Sequence, residues 1–139
     1  GLGDVYKRQS ADELTYCQTA VANWKRLQPA VMDGDQYRLV SPYTSNHMAV
    51  NYVSKDMSKA VLFAYDIYPR FQEKLIAVKL QGLDPHKMYK VEEINLMPGV
   101  ASALEANGKV FSGDYLMKVG LNVFGYAITQ SHVIELSAM

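Results

Sequence analysis

The stretch Ala30-Val31-Met32-Asp33-Gly34-Asp35-Gln36-Tyr37-Arg38-Leu39-Val40-Ser41-Pro42 changes its apolar period partway through. Before Gly34, apolar residues recur every three or four positions: Leu14, Cys17, Val21, Trp24, then Leu27 or Val31. That spacing gathers them on one stripe of an α-helix roughly four turns long. After Gly34 the period is two. Tyr37, Leu39 and Ser41 alternate with Gln36, Arg38 and Val40 until Pro42 ends the run, the pattern of a strand with one covered face. Asp33-Gly34 therefore separates a helix from a β region.

Upstream of this boundary, Ser10-x-x-Glu13 has the form of a capping box and predicts that the helix starts at Ser10. Pro29 weakens its hydrogen-bond ladder. Residues 1–9 hold two glycines and mixed charges without an apolar period, and read as an extraneous or disordered N-terminus outside the fold. The helix stripe implies that Cys17 is a buried, inert thiol.

Downstream, the chain reads as a series of short strands. Met48, Val50 and Tyr52 alternate with Ala49, Asn51 and Val53, before a turn at Ser54 to Ser58. Lys59 to Tyr68 is apolar on both parities, as a central strand is. Lys74 to Gln81 and Lys87 to Asn95 read as two further strands, paired as a hairpin across Gly82-Leu83-Asp84-Pro85. In that turn Asp84 is expected to accept local backbone hydrogen bonds. Met97-Pro98-Gly99 is a turn, and Asn107-Gly108 between Leu104 and Val110 is a hairpin signal. Ser112 to Gly120 fits a short helical turn, and His132 to Leu136 a last strand. One amphipathic helix ahead of seven or eight short strands predicts a mainly β fold, an antiparallel β-sandwich preceded by one α-helix. The organisation expected is residues 10–33 as the helix and its linker, and 34–139 as the β domain.

Composition narrows the function classes. The 139 residues are 49% apolar, enough for one ordinary core. Fourteen basic side chains balance fourteen acidic ones, so the charge footprint of a nucleic-acid or anionic-membrane binder is missing. A single cysteine leaves no internal disulfide or thiolate zinc cluster. No apolar run approaches the ~20 residues that cross a bilayer. No basic-then-apolar signal pattern opens the chain, and localisation stays unknown, with cytoplasmic and periplasmic or secreted parents both compatible.

The candidates for chemistry are few. Asp33 with Asp35, and Glu92 with Glu93, are paired in sequence, but the first pair brackets a turn glycine and the second points to opposite faces of a strand. His47, His86 and His132 lie 39 and 46 residues apart with no local ligand spacing, and His86 belongs on an exposed turn. Among the ten tyrosines, Tyr37, Tyr52 and Tyr65 sit in runs of apolar residues, where a half-buried ring with a solvated hydroxyl is the common outcome. The alternative is an aromatic surface that binds sugar. Phosphate-loop, nucleophile-elbow and dinucleotide fingerprints do not occur. The residues themselves give no catalytic, substrate-binding or metal site and call for no cofactor.

A series of pieces in fixed order carries a resemblance: Trp24-Lys25 through Pro29; Gly34-Asp35-Gln36-Tyr37-Arg38-Leu39 with Ser41-Pro42; Ala60-Val61-Leu62-Phe63; Leu80-x-Gly82-Leu83-Asp84-Pro85; Tyr89-x-Val91-x-Glu93; Ser112-Gly113-x-x-Leu116-Met117-x-x-Gly120-Leu121; and Val133-Ile134-Glu135-Leu136. From Leu14 onward these resemble the C-terminal end of bacterial α-galactosidases of glycoside hydrolase family 36, the melibiase-like enzymes. The resemblance implies a fragment: the last helix of a (β/α)₈ barrel, then a non-catalytic C-terminal sandwich. It also implies a parent that hydrolyses terminal α-galactosides such as melibiose or raffinose, with a retaining mechanism. In that family both catalytic aspartates lie on the barrel, one in a Lys-Trp/Tyr-Asp motif, and neither motif nor barrel strand occurs here. The partners implied are therefore the missing barrel, a galacto-oligosaccharide through the parent only, and a second copy of the parent in a homo-oligomer. Gln28, where the family often has Arg, and a longer Leu121 to Gln130 connection are departures. They leave open a parent that is an α-N-acetylgalactosaminidase or a galactosyl transferase. A free-standing β-sandwich module binding carbohydrate or protein is the remaining alternative.

Overall fold

The computed structural model describes residues 2–40, 47–66, 77–124 and 131–139, with the side chains of residues 2–10, 12 and 66 excepted. A long helix, α1 (Leu2–Asp33), leads into strands β1 (Asp35–Val40), β2 (His47–Val53), β3 (Lys59–Asp66), β4 (Met88–Ile94) and β5 (Val110–Ser112). A short helix, α2 (Gly113–Lys118), and strand β6 (Ser131–Ala138) follow. The fold is mainly β, as expected, but the described strands make one six-stranded antiparallel sheet in the order β1-β2-β3-β6-β4-β5, not two facing sheets. Among the described residues, the layer that covers the sheet opposite α1 is irregular chain and α2.

β3 shows why. Its neighbours Val61 and Leu62 are both fully buried, so the sheet is covered on both sides, and the unbroken apolar run of this strand follows from that. Val61 belongs to the face under α1, where Leu27 and Ala30 pack on it with Phe63, Val133 and Ile94 alongside. Leu62 belongs to the other face, with Ala49, Val53, Ile134, Leu136 and Val91, under a cover of Val78, Leu80, Leu83, Leu104, Leu116, Leu121 and Val123. That cover is mostly irregular chain.

Two glycines let these layers close. A Cβ at Gly34 would sit 2.2 Å from the Val53 carbonyl oxygen, so the helix can turn into β1 only without one. Gly120 has φ +85°, and a Cβ there would lie 2.3 Å from the Val78 carbonyl. This brings Leu121 and Val78 into a reciprocal pair of backbone hydrogen bonds of 2.8 and 2.9 Å.

Several expectations are corrected. The backbone of α1 runs from Leu2 through Ser10 instead of starting there. Residues 77–81 do not pair with β4 as a hairpin: Val78 bridges Leu121, while β4 lies between β6 and β5. Positions 74–76 and the 67–68 end of the strand read from Lys59 lie outside the described residues, as does most of the Leu121–Gln130 connection. Asn107-Gly108 does not join two strands. Asn107 and Lys109 donate backwards to Leu104 and Ala106 in a turn that feeds β5. Asp84 behaves as expected, its Oδ1 accepting from the His86 amide at 2.9 Å.

Candidate functional site

The apolar stripe of α1 does not face the sheet. Leu14, Val21 and Trp24 are 58, 52 and 46% exposed. Cys17 is exposed as well, which corrects its reading as a buried thiol. The side that docks is instead Asn23, Leu27 and Ala30. At 100° per residue the two sets lie roughly 120° apart around the helix. The helix thus has two faces that seek partners, and the described residues fill one of them.

The filled face is locked by charge. Arg26 Nε and Nη2 donate to Glu135 Oε2 and Oε1 at 3.0 and 2.8 Å. Lys59 Nζ donates to Glu135 Oε2 at 2.8 Å and to Ser137 Oγ at 2.8 Å. Arg26 Nη2 also donates to Asn23 Oδ1 at 2.9 Å, and Asn23 Nδ2 to Asn95 Oδ1 at 2.7 Å. Burial alone would raise the Glu135 pKa, but the hydrogen bonds from Arg26 and Lys59 outweigh it and hold the carboxyl below its ordinary value. In return, the bond to Glu135 holds the Arg26 pKa above its own ordinary value. A carboxylate engaged in this way is a structural tie and not a free acid or base.

The sequence-paired carboxylates separate as a strand requires. Glu92 sits on the helix side of β4, opposite Glu135 in the register, and is paired with Lys90 at 2.9 Å. Glu93 points into the other layer, where its side chain is 3% exposed beside His132 at 2%. Glu93 Oε2 is hydrogen-bonded to His132 Nδ1, and Oε1 accepts from Ser102 Oγ at 2.7 Å. This Ser102–Glu93–His132 chain was not legible in the sequence, because 39 residues separate Glu93 from His132. Only the alternation of β4, which turns Glu93 inward, hinted at it.

The remaining candidates are scattered. Asp35 is exposed and lies 3.6 Å from Lys55. His47 is buried and stacks on Phe124 at 4.3 Å, whereas His86 is exposed. Tyr37 rests against Gly82, and Tyr52 packs edge-on against Phe63 while its hydroxyl accepts from Gln36 Nε2 at 3.1 Å. These two are the half-buried rings expected, and Tyr65 is more open. No group of three His, Cys, Asp or Glu that could hold a metal occurs among the described residues. None of the described helices is long and apolar enough to cross a membrane.

One concavity combines aromatic and polar walls. It has a volume of about 330 Å³ and is lined by Phe111, Tyr115, Glu105, Lys109 and Asn122 over Leu121. The Phe111 and Tyr115 rings stack at 5.2 Å and 13°. Sequence reading weighed other tyrosines for such a role and missed this pair. Its only signal was an i, i+4 aromatic spacing across the strand-to-helix junction at Ser112.

Comparison with known proteins places this arrangement. Residues 47–136 match the "Glycosyl hydrolase family 36 C-terminal domain". The chain is 33% identical over 112 residues to "Probable alpha-galactosidase G" of Aspergillus terreus, covering 81% of this chain and 14% of that protein. It is 32% identical over 117 residues to "Alpha-galactosidase 1" of Pediococcus pentosaceus, with coverage of 84% and 14%. Among solved structures, the family 36 α-galactosidase AgaB of Geobacillus stearothermophilus superposes with a TM-score of 0.67 at 29% identity, over 86% of this chain and 15% of that one. The chain therefore spans about one seventh of the length of these relatives, which are fungal as well as bacterial. The matched residues hold β2 through most of β6, together with the irregular layer that covers them, and the chain belongs to glycosyl hydrolase family 36, of which it carries the C-terminal domain.

Proposed function

We propose that this chain is the C-terminal portion of a retaining α-galactosidase. Its sheet domain would be non-catalytic, and residues 10–33 would form the last helix of the catalytic (β/α)₈ barrel. The observation that carries this reading is the two-sided helix: α1 is clasped to the sheet through Arg26 and Leu27, while Leu14, Cys17, Val21 and Trp24 remain open for a second body. A barrel supplies such a body, and barrel enzymes keep their catalytic groups at the ends of the barrel strands. On this reading the chain contributes no catalytic group. Its most buried carboxylates, Glu93 and Glu135, are spent on His132 and Ser102, and on Arg26 and Lys59.

The parent would cleave terminal α-galactosides such as melibiose or raffinose through a covalent glycosyl-enzyme intermediate. The sheet domain would hold the last barrel helix from its outer side. The test is an assay with a nitrophenyl α-galactoside. The 139-residue chain should give no turnover, and the longer protein encoded by the same reading frame should give it. Turnover by the short chain that survives repurification, and that is lost in Glu93→Gln, would overturn the reading.

A further inference from the structure

We propose that the concavity between Phe111, Tyr115 and the 105–109 turn is a binding site for a pyranose ring of an oligosaccharide. Its volume of about 330 Å³ admits one sugar ring. A pyranose has an apolar face of C–H bonds, carrying slight positive charge, and a rim of hydroxyls. The first is matched by the negative face of an aromatic ring, the second by polar side chains that donate and accept. The concavity offers both: Tyr115, 42% exposed and held in a stack with Phe111, and around it Lys109, Asn122 and Glu105.

The site is built in advance. Ser112 Oγ accepts from the Tyr115 amide at 3.1 Å, and the Tyr115 carbonyl accepts from Val119 and Gly120 at 2.8 and 3.1 Å. The wall under Asn122 is fixed by the Leu121–Val78 pair, and the 105–109 wall by the Lys109 carbonyl, which accepts from Val91 at 2.9 Å. A ligand therefore orders little backbone on arrival, which suits a small solute that makes few contacts. The concavity also lies in the layer opposite α1. The assignment does not depend on which reaction the parent performs.

The experiment is a titration of the isotope-labelled 139-residue chain with raffinose, followed by amide chemical shifts, with sorbitol as an acyclic polyol control. Raffinose should shift amides confined to 105–122, with a dissociation constant on the order of 1 mM. Tyr115→Phe should keep the effect, while Tyr115→Ala and the exposed Asn122→Ala should each weaken it about tenfold. Asn122→Ala decides the matter if Tyr115→Ala disturbs α2. Absence of localised shifts, equal shifts with sorbitol, or unchanged affinity in Asn122→Ala and Tyr115→Ala would overturn the proposal.

Discussion

Arg26, near the end of α1, grips both carboxylate oxygens of Glu135 on β6 across 109 residues of sequence. The Glu135 side chain is 7% exposed and that of Arg26 is 44% exposed, so the pair is desolvated on one side only. Arg26→Ala leaves Glu135 with Lys59 as its remaining cation and should destabilise the chain by about 1–2 kcal/mol, less than a fully buried pair would lose. Glu135→Gln should cost a similar amount. The double variant should cost less than the sum, because both changes break one network. Urea unfolding of the three variants checks this, and strict additivity would show that the two residues do not act on each other.

The same carboxylate sets a dependence on acid. The folded-state pKa of Glu135 lies below its ordinary value of 4.5, so the unfolded chain takes up this proton first as pH falls. The stabilisation is complete above about 4.5 and is lost as pH drops through the lower folded value. Asp56 acts in the same direction, its pKa lowered by hydrogen bonds from the Ser58 hydroxyl and amide and the Ser54 hydroxyl, although it is fully exposed. The melting temperature should change little between pH 7 and 5 on account of these groups and fall below them. Glu135→Gln should flatten part of that fall, and an identical profile in the variant would exclude Glu135 as its source.

Asn51 is fully buried on β2 and takes the place of a strand partner. Its Nδ2 donates to the Gln81 carbonyl at 3.0 Å, and its Oδ1 accepts from the Gln81 amide at 3.2 Å. Asn51→Ala would leave two backbone groups without these partners and should cost about 2–3 kcal/mol. Asp84→Ala, which removes one local bond to the His86 amide, should cost about 1 kcal/mol. Thermal unfolding of the two variants side by side gives the order, and a larger loss in Asp84→Ala would contradict this account of the covering layer.

Tyr89 ties two turns together from inside the core. Its hydroxyl donates to the Met57 carbonyl at 2.7 Å and accepts from the Asp84 amide at 3.1 Å, and burial raises its pKa. Tyr89→Phe keeps the ring and removes both bonds, so a loss of about 1–2 kcal/mol is expected. Hydrogen exchange should quicken at Asp84 and around Met57 and not at β6.

These ties mark where the sequence was and was not informative. The alternation of β2 and the two-sided apolar run of β3 reported local burial, and β1, β2, β3, β4 and β6 lie where the sequence placed strands. Pairing is not written in a period: Val61 opposite Glu135, or Glu93 beside His132, depends on which strand returns to the sheet after dozens of residues. Residues 77–81 look like a strand because they are apolar, yet they serve as cover over the sheet, which needs apolar side chains without a ladder. The stripe on α1 is a third case. An amphipathic period shows which side of a helix is apolar, but not whether its partner lies within the chain.

That stripe gives the last prediction. The second half of α1 is held by Leu27, Ala30 and the Arg26–Glu135 clasp, whereas Leu14, Cys17, Val21 and Trp24 meet water. Burying the larger of these would contribute roughly 1.5–3 kcal/mol each, which the chain alone forgoes, and a helix in a protein draws most of its stability from packing of its apolar face. Amides at 14–22 should therefore exchange much faster than those at 60–65 on β3. The chain should also self-associate through this face, and Val21→Glu with Trp24→Glu should abolish that association without loss of the sheet. Sedimentation combined with hydrogen exchange tests both. Equal protection of 14–22 and 60–65 in a demonstrated monomer would mean that α1 already has its full partner within this chain, and the proposed place for a barrel would be gone.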